Sequence, residues 1–189
     1  MRPVMPMNPL QARTLVLEPL EARHAAEMYT VLGDPAIYEF ENGPPESLEA
    51  LEDRYRRLEA RANADGTEQW LNWVVRLHSG EVAGYVQATV PADGSAWVAY
   101  ELSSRYWRRG IGRAAVGAMM GELAANYGVG ICRAVFKTRN YRSRGLLEAL
   151  GFRAGPGDGA PVVDCEPDES IMHKQVGPVP TAAQNPPHA

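Results

Sequence analysis

Apolar positions recur along this chain with two periods, and the changes from one period to the other outline its elements. Leu48, Leu51, Tyr55 and Leu58 lie three or four residues apart with Glu and Arg between them, the spacing of a helix that buries one stripe, here entered after Gly43-Pro44-Pro45. Ile111, Ala115, Met119 and Leu123 repeat every four residues and predict a helix from about Gly112 to Tyr127, stopped by Gly128 and Gly130. Ala22 to Leu32, after Pro19 and closed by Gly33, reads as a helix; Asn140 can cap another that runs to Leu150, with Gly151 in the left-handed turn at its end. Strand-like runs occupy Thr14 to Leu17, Trp70 to Leu77, Val82 to Val90, Ala96 to Leu102, Ile131 to Thr138, Val162 to Cys165 and Ser170 to Lys174. His78-Ser79-Gly80-Glu81 and Pro91-Ala92-Asp93-Gly94 are turn sequences, so the runs they separate form an antiparallel meander.

The resulting order, β-α-α-β-β-β-α-β-α-β-β, predicts an α+β fold: a central mixed, mostly antiparallel sheet with flanking helices and one βαβ crossover, from Val98 through the long helix to Val135. Residues 1–11 and 176–189, rich in Met and Pro, lack either period and are expected to be flexible tails around a domain spanning residues 12–175. A chain of 189 residues suits one such domain.

Charge and composition then remove function classes. Nineteen Lys and Arg against 23 Asp and Glu leave a net charge of −4, which argues against a nucleic-acid binder and suits a cationic substrate. No apolar run approaches the ~18 residues of a membrane span, and the N-terminus carries no apolar signal segment, so a cytoplasmic protein is expected. Cys132 and Cys165 are too few for a disulfide framework and have no zinc-ligand spacing to His24, His78, His173 or His188; no metal is expected.

Chemistry concentrates in Arg108-Arg109-Gly110-Ile111-Gly112-Arg113, between a strand and the long helix. Two glycines let the backbone turn tightly and bring its N–H groups close to an oxyanion, and the new helix adds the positive end of its dipole. Arg105, Arg108, Arg109 and Arg113 crowd the same stretch of an otherwise acidic chain, so a diphosphate is the ligand this segment suits. The bland alternative is a tight turn carrying solvated arginines. A sharper one is a dinucleotide fingerprint, since Gly110 to Ala115 satisfies Gly-x-Gly-x-x-Ala. That fingerprint should follow an apolar strand directly, whereas Tyr106-Trp107-Arg108-Arg109 intervenes, and the strand after the helix should end in an acidic residue, which Ile131 to Arg139 lacks; a cofactor with a 2′-phosphate, read by Lys137 or Arg139, is the version that survives.

Residues 96–152 resemble the GNAT superfamily of N-acetyltransferases: a strand, an Arg/Gln-x-x-Gly-x-Gly/Ala loop and helix, a strand, then Asn-x-x-Ser-x-x-Leu-Leu-Glu-x-Leu-Gly-Phe, which Asn140 to Phe152 fits throughout. Weaker similarity in Thr14 to Phe40 and Trp73 to Val86 extends the likeness over most of residues 12–175, and Tyr106-Trp107 with Ser143 look like the Rim-type subgroup, which includes acetyltransferases of ribosomal-protein N-termini. The resemblance implies a GNAT-like sheet, acetyl-CoA as co-substrate without metal, and direct transfer to an amine. It implies that the amides of Arg108, Arg109, Gly110, Ile111, Gly112 and Arg113 hold the pyrophosphate. Leu102 and Ser103 would hydrogen-bond the pantetheine arm, and Asn140 and Ser143 would contact its lower end near sulfur, though Asn140 could be only a helix cap and Ser143 only a helical residue.

Two positions depart from the pattern. Trp107 stands where Arg or Gln is usual, so any arginine contact there must come from neighbours. Leu147 stands where many members carry a tyrosine that protonates the leaving thiolate, so Ser143, Tyr141 or a water is expected to supply that proton, Ser143 foremost. Glu101, near the end of its strand, is the candidate general base, with an edge carboxylate in solvent as its bland counterpart. Glu39, Glu41, Glu46, Glu49, Glu52 and Asp53 form either an acidic rim that draws in an ammonium or a solvated helix face. Trp70, Trp73 and Tyr100 read as strand core. The expected protein is therefore an N-acetyltransferase acting on a protein N-terminal α-amine or a small-molecule amine, as a monomer or homodimer; the alternative is an acyl-CoA sensor that keeps the cradle without catalysis.

Overall fold

The computed structural model describes residues 6–40, 42–157 and 165–178. Its strands are β1 (Leu10–Gln11), β2 (Leu15–Pro19), β3 (Glu68–Leu77), β4 (Val82–Pro91), β5 (Ser95–Leu102), β6 (Ile131–Lys137), β7 (Arg153–Ala154) and β8 (Glu169–Gln175); its helices are α1 (Ala25–Leu32), α2 (Leu48–Leu58), α3 (Ile111–Asn126) and α4 (Tyr141–Ala149). The strands form one sheet in the order β1-β2-β3-β4-β5-β6-β8-β7. β5 and β6 are parallel, joined by the α3 crossover, and the other neighbours are antiparallel. This is the α+β arrangement that the periodicities predict.

The alternation of side chains sorts the two faces of the sheet. Leu71, Trp73 and Val75 of β3 and Val86, Ala88 and Val90 of β4 point to one side, where Ala115, Met119 and Leu123 of α3 and Leu147 of α4 close the larger core. Val74 and Tyr85 point to the other, where Met28 and Leu32 of α1 and Leu51 and Tyr55 of α2 cover them. At ~25 cal/mol per Å² of apolar surface, these two layers supply the main drive to fold.

Local chemistry moves several boundaries. α2 starts at Leu48, not directly after the prolines, because the Ser47 hydroxyl accepts the Ala50 N–H at 3.0 Å and caps it there. The expected helix from Ala22 opens as a single 3-10 turn over Ala22–His24, and 3-10 turns that the pattern does not announce occupy Pro35–Tyr38 and Ser104–Tyr106. β1 lies inside the expected N-terminal tail, with Leu10 opposite Leu17, and Val176 N–H donates to Gly130 O at 2.8 Å within the expected C-terminal one. Of the run Val162 to Cys165, residues 162–164 lie outside the described residues and Cys165 joins no strand; β7 is the strand that borders β8 instead.

One feature of the pairing positions the site. β4 and β5 stay in register from Gly84 opposite Leu102 to Thr89 opposite Trp97, whereas β5 and β6 pair only at Ser95, Ala96 and Trp97 with Ile131, Cys132 and Arg133. Beyond those pairs Val98 to Leu102 and Ala134 to Lys137 diverge, and the sheet splits between two parallel neighbours.

Candidate active site

α3 begins at the mouth of this split. Its N-cap, Gly110, has φ 77° and Arg108 has φ 59°, so two left-handed residues turn the loop and aim successive N–H groups to one side. Gly110 O accepts from Ala114 N at 3.0 Å, but no side chain caps the helix. Among the described residues no protein acceptor takes an amide from Arg108 to Arg113. A helix N-terminus left in this state can receive an anion. Gly110 is required for its backbone angle, since a Cβ there would meet no atom within contact range; Gly112 is required for space, since a Cβ would press on Leu146 and Leu102 at 3.1 and 3.2 Å. The four arginines are exposed. Arg105 pairs with Glu81 at 3.3 Å and, with Arg109, flanks the Tyr106 ring.

The two walls of the split differ. On β5, Ser103 N–H donates to Ala83 O at 2.9 Å, so by antiparallel alternation the amides of Tyr100 and Leu102 point away from β4 and into the gap. The Leu102 carbonyl accepts the Trp107 indole N–H at 2.8 Å. The other wall ends at α4, where Asn140 Oδ1 accepts Ser143 N–H at 3.0 Å as an N-cap. Ser143 Oγ lies 2.8 Å from the Tyr100 hydroxyl. Burial pushes the Tyr100 phenol up to about 12, the Ser143 hydrogen bond opposing it. Leu147 is fully buried in the larger core, so that position offers no acid to the gap. Tyr100, expected as plain strand core, has its ring in the core and its hydroxyl at the site.

Glu101 follows Tyr100 and therefore faces the α1–α2 side, opposite Tyr85 in register. Burial foremost, then the Glu101 charge, pushes the Tyr85 hydroxyl well above its usual range; Tyr38, up to about 12, and Tyr55 are raised for the same two reasons, with Arg54 opposing. Glu101 is half-buried, hydrogen-bonds Tyr85 and lies within electrostatic reach of Tyr38 and Tyr55. The acidic rim is partly neutralised: Glu39 pairs with Arg142 at 2.6 Å, and Glu52 and Asp53 pair with Arg56 at 3.0 and 2.6 Å. Glu46 and Glu49 are exposed, and Glu41 lies outside the described residues.

Two further residues, without a sequence signal of their own, join the parts. The Arg142 guanidinium lies 4.5, 5.0 and 5.4 Å from the ring centroids of Trp107, Tyr141 and Phe40, and with the Glu39 ion pair it ties α4, the loop and the Pro35–Phe40 segment together. Asp34 accepts Ser104 N–H at 2.7 Å and the Ser103 hydroxyl at 3.2 Å, and these bonds, with that from Ala36, hold its carboxyl below the usual range although burial pushes it up. Among the described residues no cluster of His, Cys, Asp or Glu could hold a metal, and no helix is long and apolar enough to cross a membrane.

Residues 14–153 match the acetyltransferase (GNAT) domain. The chain belongs to that family, whose donor is acetyl-CoA. Among solved structures it is similar to RimL, a ribosomal L7/L12 alpha-N-protein acetyltransferase in complex with coenzyme A, at 14% identity and TM-score 0.74, over 89% of this chain and 98% of that one. Mycobacterium smegmatis RimJ in complex with a CoA-disulfide aligns at 23% identity and TM-score 0.72, covering 93% and 90% of the two chains. A ribosomal-protein-S5-alanine acetyltransferase from Vibrio fischeri aligns at 17% identity and TM-score 0.70, covering 90% and 97%. At these identities the likeness is one of fold. No curated protein sequence matches significantly.

Proposed function

We propose that this protein is a cytoplasmic N-acetyltransferase of Rim type that moves acetyl from acetyl-CoA directly to an amine, a protein N-terminal α-amine or a small-molecule amine. The observation that carries the reading is the row of uncommitted amides from Arg108 to Arg113 at the open end of the β5–β6 split. When bound, acetyl-CoA supplies an acetyl group already activated as a thioester. The amides of Arg108, Arg109, Gly110, Ile111, Gly112 and Arg113 would hold the pyrophosphate, and at the β5 edge the Leu102 N–H would hold the pantetheine, while Ser103, its N–H given to Ala83 and its hydroxyl to Asp34, would hold that edge in place. Asn140 and Ser143 would meet its lower end, so Ser143 stands on the sulfur side of the reacting carbonyl.

Glu101 lies on the opposite face of β5 from Tyr100, so a base and a hydrogen-bonded hydroxyl pair flank the split from its two sides. Glu101, directly or through water, takes the proton from the incoming amine. The demand on it depends on the acceptor: an α-amine at pKa ~7.7–8.0 costs about 1 to 1.4 kcal/mol to deprotonate at pH 7, a lysine at ~10.4 about 4.6. One carboxylate suffices for the first, which favours α-amines. A thiol of pKa ~8.5 leaves as thiolate at about 2 kcal/mol, so a hydrogen bond at sulfur can stand in for a tyrosine acid at Leu147.

Buried Leu147 is also what favours the second reading, a non-catalytic acyl-CoA sensor. Purified protein mixed with acetyl-CoA and a panel of amines and short peptides, followed by thiol release and mass spectrometry, separates the two. Acetylation of an α-amine is expected. Tight CoA binding with no thiol release for any acceptor would establish the sensor.

A further inference from the structure

Tyr100 and Ser143 reach each other from β5 and α4, across the split. A buried phenol needs an acceptor for its proton, and the described residues offer Tyr100 only Ser143: Oγ at 2.8 Å, and the main-chain oxygen at 3.4 Å, beyond the ordinary hydrogen-bond length. In the 2.8 Å contact either hydroxyl could donate, and the phenol, the more acidic of the two, is the better donor to Ser143 Oγ. A hydroxyl that accepts there still has its own proton to give. In a helix that proton usually goes back to the carbonyl four residues earlier, but among the described residues Ser143 makes no such bond. Its backbone is pinned by Asn140, so the hydroxyl can change direction only by rotating away from Tyr100. A phenol raised by burial to about 12 stays protonated throughout the working range and remains a donor.

We propose that Tyr100 is a positioning residue: by donating to Ser143 Oγ it turns the Ser143 proton into the split, toward the sulfur that leaves when the acetyl group moves. The inference rests on the acetyl-transfer reading. The amine lone pair forms the C–N bond, the C–S bond breaks with its electron pair on sulfur, and the amine's proton leaves through Glu101 or water. Ser143 gives the sulfur a hydrogen bond and keeps its proton. Transfer from the pair is uphill, since a phenol at about 12 lies well above a thiol at ~8.5; the thiolate is protonated from solvent on release. The service that many relatives obtain at the Leu147 position is thus delivered from the strand.

The test uses the full-length protein and its Tyr100→Phe, Ser143→Ala and double variants. Three quantities are measured: CoA affinity by calorimetry, the pKa of the bound CoA thiol from thiolate absorbance, and kcat and KM for thiol release. In the native protein the bound thiol should titrate below its free value. Tyr100→Phe should raise that pKa by about one unit and lower kcat about tenfold at unchanged CoA affinity and KM. Ser143→Ala should do at least as much, and adding Tyr100→Phe to it should change nothing further. A bound-thiol pKa and kcat untouched by Tyr100→Phe, or losses that add in the double variant, would overturn the proposal. If Tyr100→Phe does not fold, an unmoved thiol pKa in Ser143→Ala overturns it alone. A native protein with a lowered bound-thiol pKa and no turnover on any amine keeps the Tyr100 assignment and ends the acetyl-transfer reading; failure to bind CoA ends both.

Discussion

Tyr100 and Glu101 are chain neighbours that a pleated strand sends to opposite faces, so that one stretch of β5 presents a hydroxyl on one side of the sheet and a carboxylate on the other. Removing the charge of Glu101 while keeping its shape isolates its part. Glu101→Gln is expected to lower turnover about a hundredfold with CoA affinity unchanged and to alter the pH–rate profile; a profile identical to the native one would remove Glu101 from the mechanism. The strand pair that holds it depends on Gly84, opposite Leu102, with φ 147°. A Cβ at Gly84 would overlap the Glu101 carbonyl oxygen and Leu102 Cα. Gly84→Ala must therefore push β4 from β5 at the very residues that line the split, and a loss of about 2 to 4 kcal/mol in denaturant unfolding is expected. An unchanged midpoint would mean that the strands can separate there without cost.

At the scale of elements, the site is made where the β5–α3 loop, the start of α4 and the Pro35–Phe40 segment meet, and Arg142 touches all three. Arg142→Lys keeps a charge that can still reach Glu39 but loses the planar group that stacks on Trp107 and Phe40. Hydrogen exchange in residues 36–40 and at the Trp107 indole should then accelerate, and CoA affinity should fall several-fold; protection equal to native would show that the stacking holds nothing. This junction also marks the limit of what the sequence discloses. The repeats at Leu48 to Leu58 and Ile111 to Leu123 gave both helices because an amphipathic stripe must face a core, and the glycines with the arginines marked the loop that enters α3, whose amides find no acceptor among the described residues. The split itself left no trace in the pattern. Val98 to Leu102 reads as an ordinary strand whether or not β6 stays paired with it, since periodicity records which face is buried and not which neighbour is hydrogen-bonded. Arg142, Asp34 and the Tyr100 hydroxyl were equally silent, because each acts on partners from about 40 to 100 residues away in sequence, and short 3-10 turns carry no apolar repeat to announce them.

At the scale of the molecule, an ionic cluster stitches the first strand–helix unit to the sheet, and it sets how the fold responds to acid. Arg76 on β3 binds Glu18 of β2 at 3.0 Å and Glu27 of α1 at 2.9 Å, and beside it His24 is buried, 3% exposed. The His24 Nδ1 accepts Glu21 N–H at 3.0 Å, which requires that nitrogen to be unprotonated, while Nε2 faces Glu18 at 3.4 Å. Burial first and then Arg23 lower the His24 pKa, with Arg76 in the same direction, and they outweigh Glu18 and Glu21, which raise it. The folded state thus binds this proton less readily than the unfolded chain does, so stability rises with pH in this range. The contribution is full above the unfolded value of about 6.5 and is lost as pH falls from there through the lower folded value. Glu27, lowered chiefly by its Arg76 hydrogen bond, adds a second loss of the same sign in the carboxylate range. The thermal midpoint should therefore be level above about pH 7, fall below about 6.5, and fall again below about 4.5. His24→Asn places an amide oxygen where Nδ1 accepts and cannot titrate, so it should start from a lower plateau, having lost ring packing, yet erase the first decline and keep the second. A variant that declines through the first range as the native protein does would show that the acid response lies outside this cluster.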